Sequence, residues 1–429
     1  MRGNNTLQGF LVECLKRSLY RTKGTRMGGV DWHHNQIVMN WQYKYTVLTI
    51  ATFAFFATMV ARLAISPLIP AITADFEITN AVIGMALTGM WLAYALTQFP
   101  SGLLGDRFGE RPIILTAVGG TAVMCVVIAV APFFWLFVIC VILLGAVAGL
   151  HYSVATTLLT RLFNENVGFA IGVHTIGSPA AGLLAPIAAA WVGTQFGWRY
   201  GVAIGAVIAI PIFVLFAWRV QTGDPRRPNQ SLSDQFDLDL LTSILARPQI
   251  AFTVGIAAVC AFVWQGIASF LPAFLIEYQG QSATFAGLIF SLYFIIQGVA
   301  KPMIGTISDR YGRDRMIAGC LIMTAAGLGL FVTGSGPLSI GLGVFLVGTG
   351  MGWSSAVEPR FMDAFAARER GRGFGLVRTT YLILGAGGSV VVGALADVFG
   401  WPISFGFLVL LLAGGAATVA LNWILDFGY

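Results

Sequence analysis

Apolar stretches about as long as a membrane-crossing helix alternate along this chain with short polar breaks. A helix needs about 20 apolar residues to cross a bilayer. Such runs lie near 46–73, 81–104, 113–131, 134–160, 167–192 and 200–220, and again near 250–276, 284–307, 316–333, 338–362, 373–397 and 402–425. One long polar stretch, 221–249, separates the first six runs from the second six. The pattern predicts an all-α membrane protein of twelve transmembrane helices. Its parts are a basic extension (1–44), a first six-helix bundle (45–220), a central loop (221–249) and a second bundle (250–429).

The two halves repeat one another at a constant offset of 203 residues. Gly84 pairs with Gly287, Gly102 with Gly305, and Asp106, Arg107 and Gly109 with Asp309, Arg310 and Gly312. Gly145 and Gly149 pair with Gly348 and Gly352, and Gly197-Trp198 with Gly400-Trp401. An even number of spans per half sets both halves the same way up, so the bundles are pseudo-symmetric parallel repeats. Duplicated bundles of this kind typify secondary transporters, whose substrate site lies between the halves near mid-bilayer.

Composition sharpens the class. The 429 residues are 57% hydrophobic and only 10% charged, with a mean hydropathy of +0.80. Soluble domains carry about 25% charged residues, so a soluble enzyme, a nucleic-acid binder and a disordered chain are excluded. The net charge of +6 is accounted for by topology. With the N-terminus inside, 21 of the 25 Lys and Arg fall before the first span or in loops on that side, and only Arg199 falls outside. The excess of inside Lys and Arg predicts both termini in the cytoplasm and a plasma-membrane protein. Residues 1–44 lack the apolar core of a signal peptide and read as a cytoplasmic extension, with Met1, Met27 and Met39 all open as the start. The five cysteines (Cys14, Cys125, Cys140, Cys260, Cys320) stand apart from one another, which indicates neither a metal site nor a disulfide framework. No phosphate-binding loop or catalytic triad is present, so no enzyme, cofactor or direct ATP drive is expected.

After the second span the chain reads Gly102-Leu-Leu-Gly105-Asp106-Arg107-Phe-Gly109-Glu110-Arg111. After the eighth it reads Gly305-Thr-Ile-Ser308-Asp309-Arg310-Tyr-Gly312-Arg313-Asp314-Arg315. Glycine permits the tight turn between helices, and an Asp there can meet the positive end of a neighbouring helix. Both copies resemble the loop motif of the major facilitator superfamily, a resemblance that covers residues 45–425, with Glu110 departing from the basic residue usual at its position. The resemblance implies alternating access about a site lined by spans 1, 2, 4, 5, 7, 8, 10 and 11. It also implies gating by Gly102, Asp106, Arg107, Gly109, Arg111, Gly305, Asp309, Arg310, Gly312 and Arg313. The drug/proton antiporters of the superfamily carry an Arg where this chain has Val141, and Gly177-Ser-Pro179-Ala-Ala-Gly182 matches their glycine-proline signature imperfectly.

Ionisable residues inside spans are site hypotheses by default. Arg62 sits about 15 residues into the first span, ahead of Ser66, Pro67 and Pro70. An Arg eight residues before a proline in the first span resembles the anion-binding arginine of organophosphate:phosphate antiporters and related organic-anion transporters. The planar guanidinium suits a carboxylate or phosphate. Those antiporters carry a second Arg in the seventh span, where this chain has Trp264, eight residues before Pro272, so the reading favours a singly charged anion. The alternative is an Arg62 that only ties down unwound backbone. Trp91 and Tyr94 on the second span, and Tyr293, Gln297 and Lys301 on the eighth, make two matching polar-aromatic stripes that either wall a pocket or pack helices. Trp264 and Gln265 of the seventh span complete the candidate wall. Lys301 either snorkels or binds substrate, and Arg378 either gates or binds it. His151 and His174 are candidates for substrate contact (His151) and for a coupling proton (both), against a plain packing role. Glu358 is the carboxylate well inside a span, a proton carrier or the partner of a basic residue.

The leading expectation is a monomeric secondary transporter of a small organic anion such as a carboxylate, coupled to protons or to a counter-anion. The rivals are a drug/proton antiporter, which normally needs a buried carboxylate, and a non-transporting membrane sensor.

Overall fold

The computed structural model describes residues 31–163, 166–223, 225, 228, 238–365, 370–425 and 427–428. Cys14, Met1, Met27, Arg226, Arg227 and Arg368 lie outside the described residues, as does most of the basic extension. Residues Met1–Tyr45 form one unit and Thr46–Tyr429 another, and the candidate site belongs wholly to the second.

Among the described residues twelve helices are long and apolar enough to cross a membrane. They are α1 (Tyr43–Phe76), α2 (Asn80–Phe108), α3 (Glu110–Ala129), α4 (Phe134–Leu162), α5 (Val167–Phe196) and α6 (Trp198–Arg219). The second half holds α7 (Pro248–Glu277), α8 (Ala283–Tyr311), α9 (Arg313–Thr333), α10 (Pro337–Ala364), α11 (Gly373–Phe399) and α12 (Trp401–Leu425). The spans read from the hydropathy pattern agree with these to within a few residues. The turn from α2 to α3 runs through Gly109 (φ 89°) and that from α8 to α9 through Gly312 (φ 99°), a conformation that side chains with a Cβ rarely adopt. These are the glycines of the two loop motifs.

The 203-residue repeat extends into atomic detail. Thr79 caps α2 by accepting from the Val82 amide, and Ser282, 203 residues on, caps α8 by accepting from the Phe285 amide. Ser66 donates its hydroxyl to the carbonyl of its own mate, Ser269, at 2.7 Å, so α1 and α7 touch where the two halves are equivalent. Two close helix approaches between halves also come as a symmetric pair. A Cβ on Gly84 of α2 would stand 2.7 Å from the Ser389 carbonyl oxygen of α11, and one on Gly287 of α8 would stand 2.8 Å from the Pro186 carbonyl oxygen of α5. Asp397 accepts from the amides of Asn80 and Ala81, joining the end of α11 to the start of α2. All these contacts lie at the end of the bundle opposite the two motif loops.

At the motif end the halves are braced internally. Glu110, 3% exposed, pairs with Arg161 at 3.2 Å and so ties α3 to the end of α4. Its mate Arg313 pairs with Asp309 and with Asp363, at 3.3 Å for the latter, tying α9 to the end of α10. The same brace is thus kept with its charges reversed, which explains why Glu110 departs from the motif. Arg111 donates to the carbonyls of Ala217 and Val220 at the end of α6. Among the described residues the Asp106 carboxylate has no hydrogen-bond or ion-pair partner, and a Cβ on Gly102 would meet nothing within 4 Å. The helix-start contact expected of Asp106 is made instead by Asp397, at the other end. Glu110 is buried but the Arg161 side chain is 35% exposed and can be solvated when its partner is removed, so Glu110→Ala is expected to destabilise the protein by about 1 kcal/mol or less. A fall in the thermal midpoint of detergent-solubilised protein checks this.

Candidate functional site

Five of the spans are interrupted partway along, and the interruptions follow the local sequence. In α1 the run Ser66-Pro67-Leu68 forms a short 3-10 turn, because proline supplies no N–H and fixes the chain there. α4 breaks at Leu150, α5 at Ile176 ahead of Gly177-Ser178-Pro179, α10 at Met351–Trp353 between glycines, and α11 at Gly387. Irregular backbone is tolerated at membrane depth only where protein buries it or it lines a cavity.

Two of these breaks, through Ser178 of α5 and Met351 and Trp353 of α10, reach a central cavity of about 210 Å³. It is lined by Arg62 from α1, Trp91 and Tyr94 from α2, Trp264 and Gln265 from α7, and Gln297 and Lys301 from α8. Glu358 of α10 and Arg378 of α11 complete the polar wall. Nine of the residues singled out in the sequence therefore converge on one space. A more open depression of about 540 Å³ by the start of α9 is lined instead by ion-paired groups such as Arg360–Asp314.

Arg62 is 2% exposed. Its guanidinium carbon lies 4.0 Å from the Tyr94 ring centroid and 5.0 Å from that of Trp91, a cation–π arrangement worth about 2 kcal/mol when desolvated. Nε donates to the Thr58 carbonyl at 3.1 Å and one Nη to Met59 Sδ, while Nη1 has no partner. No acidic side chain forms an ion pair with Arg62 among the described residues. Gln265, 3% exposed with an unpartnered Oε1, is its mate under the 203 offset. The repeat register thus makes Gln265, rather than the neighbouring Trp264, the counterpart of Arg62. Trp264 packs edge-on against Trp91 at 5.2 Å, closing the cavity across the halves.

Gln297 donates to the Met351 carbonyl at 2.9 Å, satisfying an acceptor at the α10 break, and to the Tyr293 hydroxyl at 3.2 Å. Arg378 lies with its guanidinium carbon 5.1 Å from the Tyr152 ring centroid, a contact from α11 to α4. Glu358 lies within electrostatic reach of both Lys301 and Arg378. Arg360, two residues further along α10, is engaged elsewhere, with Asp314 at 2.7 Å and with Thr253.

Two expected lining residues stand one layer back. Tyr293 is fully buried behind Gln297, packed on Phe290 and Phe294. His151 is fully buried against Phe55, whose ring its own stacks on at 5.9 Å, and His174 sits on the same ring at 5.1 Å. Phe55 faces the cavity and screens both imidazoles from it. For this reason α4, expected among the lining spans, contributes no lining residue among those described. Sequence reasoning missed Phe55, Met59, Phe294, Trp353 and Tyr381, all on the wall. The offset already pointed to Phe294, the mate of Trp91, and Tyr381 lies one helical turn from Arg378.

A duplicated twelve-helix bundle with a polar cavity between its halves defines a secondary transporter. The chain belongs to the Major Facilitator Superfamily, whose profile matches residues 51–280 and 253–426. It is 23% identical over 331 residues to the multidrug resistance protein MdtG of Citrobacter koseri, covering 74% of this chain and 79% of that protein. The Escherichia coli K12 MdtG matches at the same identity over 333 residues, with the same coverage. Among solved structures, an inward-facing, unoccupied bacterial homologue of the human lysosomal transporter Spinster superposes with a TM-score of 0.77 at 18% identity, covering 88% of this chain and 96% of that one. The human organic anion transporter MFSD10 superposes with a TM-score of 0.66 at 15% identity, covering 88% and 99%. At these identities the structural likeness establishes the fold alone.

Proposed function

We propose that the protein carries a small organic anion across the plasma membrane by alternating access, with Arg62 as the anchor. The observation that carries this reading is Arg62 itself, a buried cation on the cavity wall with no acidic partner and an unused N–H. An isolated buried charge is costly unless paired, so a group kept in this state is suited to a ligand that supplies the missing anion. The cavity volume of about 210 Å³ is below the ~300–1,000 Å³ usual for drug-sized ligands, which favours a small substrate. Both termini face the cytoplasm in this reading, on the strength of the Lys and Arg distribution. The close contacts between halves then seal the outer end, and the cavity communicates with the cytoplasm. The protein acts as a monomer.

Glu358 is the proposed coupling group, since it lies on the wall beside Lys301 and Arg378, whereas His151 and His174 stand behind Phe55. Glu358→Gln is expected to leave anion exchange running and to abolish accumulation driven by a pH gradient. Counterflow and gradient-driven uptake, measured side by side in proteoliposomes, check this.

A second reading, drug/proton efflux, draws on the same Glu358 and on the MdtG relatives, whose name denotes multidrug resistance. A thermal-shift screen of purified protein against carboxylates and lipophilic cations separates the two. Stabilisation by carboxylates, lost in Arg62→Ala, supports anion transport. Stabilisation by lipophilic cations, lost in Glu358→Gln and kept in Arg62→Ala, supports efflux.

A further inference from the structure

The second anion-binding arginine sought in α7 is absent from that helix, yet a second arginine does face the cavity. Arg378 projects from α11 in the C-terminal half onto the same wall as Arg62 of the N-terminal half. Each of the two retains an N–H without a partner, Nη1 of Arg62 and Nε of Arg378. Tyr94 joins them: its ring lies under Arg62 at 4.0 Å, and its hydroxyl is within electrostatic reach of Arg378. The charge on the wall is unbalanced. Arg62, Lys301 and Arg378 face a single carboxylate, Glu358, among the described lining residues. Lys301 lies within electrostatic reach of Glu358, which offsets one of the three cations. Two guanidinium groups, one from each half, are left without a full countercharge.

We infer that the substrate is a dianion with separated acidic groups, a short dicarboxylate that docks one carboxylate on Arg62 and the other on Arg378. The inference rests on the anion-transport reading and narrows its substrate class. Each planar guanidinium fork binds a carboxylate bidentately, so two forks on one wall suit a ligand with two separated carboxylates. The arrangement also gives the ligand a task in the transport cycle. Arg62 and Arg378 line one low-dielectric cavity, and the Lys301 charge already lies within reach of Arg378, so uncompensated positive charge opposes closure of the empty carrier. A dianion bridging α1 and α11 neutralises both and draws the halves together, whereas a monoanion leaves one guanidinium uncompensated. Only a ligand with different contacts in the open and closed states can shift that equilibrium.

The test compares succinate, glutarate and adipate with their monomethyl esters, which keep the carbon chain and remove one charge. Binding is measured by isothermal titration to purified protein, wild type and variants. With a second charge-assisted contact the best diacid is expected to bind at least about tenfold more tightly than its monoester. Arg378→Gln is expected to bring that ratio close to one, and Arg378→Lys, which keeps the charge, to retain a preference for the diacid. A wild-type ratio near one, or a ratio unchanged in Arg378→Gln, overturns the inference. The wild-type ratio decides by itself if Arg378→Gln does not yield monodisperse protein. Monoester binding that depends on Arg62, with no diacid preference, leaves the anion reading standing and removes only the dianion. Binding of neither series removes both.

Discussion

Replacing Arg62 by glutamine is expected to abolish saturable anion binding while raising the thermal stability of the empty protein. The two effects have one cause. In the empty carrier Arg62 is held by one backbone carbonyl, a thioether and two aromatic faces, with one N–H unused. None of these groups carries the countercharge that a buried guanidinium needs. Glutamine keeps a hydrogen-bonding group of moderate size and removes the charge, so the empty fold gains. The loaded state loses a charge-assisted contact of about 3 kcal/mol, which corresponds to a weakening of about two orders of magnitude in Kd. Titration calorimetry and a thermal melt on the same preparations check both signs. A variant that binds normally, or one whose empty form is less stable, would assign Arg62 to the backbone of the α1 break.

The second large effect is expected at the symmetric glycine contacts. Gly84→Val and Gly287→Val each place a branched side chain against backbone of the other half, where no rotamer change can relieve the overlap. Overpacking of this kind costs about 1–3 kcal/mol, enough to shift a two-state equilibrium by roughly ten- to a hundredfold. The contacts lie at the end opposite the motif loops, so both variants are expected to open that end and to lose most transport. Spin labels at Glu77, in the turn ahead of α2, and at Val398 of α11, in a cysteine-free background, report the change as a lengthened distance between the two halves at that end. The two variants should behave alike because they are equivalent under the repeat. An effect confined to one of them would mean that the pseudo-symmetry of these contacts does not extend to the motion.

The fold was largely readable because a bilayer permits few solutions. Runs of apolar residues must become helices where water cannot satisfy the backbone, and the offset of 203 fixed which spans were equivalent. The convergence of Arg62, Tyr94, Gln297, Lys301 and Arg378 on one cavity was readable for a related reason, since polar groups in spans have nowhere else to go. The rest depended on depth and azimuth, which periodicity resolves poorly when nearly every face of a helix is apolar. Tyr293 shares its helix with wall residues but stands behind Gln297, and His151, at the α4 break, stands behind Phe55. Counting back from a proline chose Trp264 as the mate of Arg62, when the repeat register gives Gln265. The second arginine was sought in the symmetric place and stands on α11, because the repeat has kept the helices and exchanged the chemistry. The Glu110–Arg161 and Arg313–Asp363 braces show the same habit with their charges reversed.

The central claim is that an anion, anchored by Arg62, is what crosses the membrane. Uptake of radiolabelled carboxylates into proteoliposomes, with ethidium and tetraphenylphosphonium as competitors, tests it most directly. The account predicts saturable carboxylate uptake that is inhibited by other carboxylates, insensitive to the cations and absent in Arg62→Gln. Transport of the cations, with carboxylates neither carried nor competing, would contradict it.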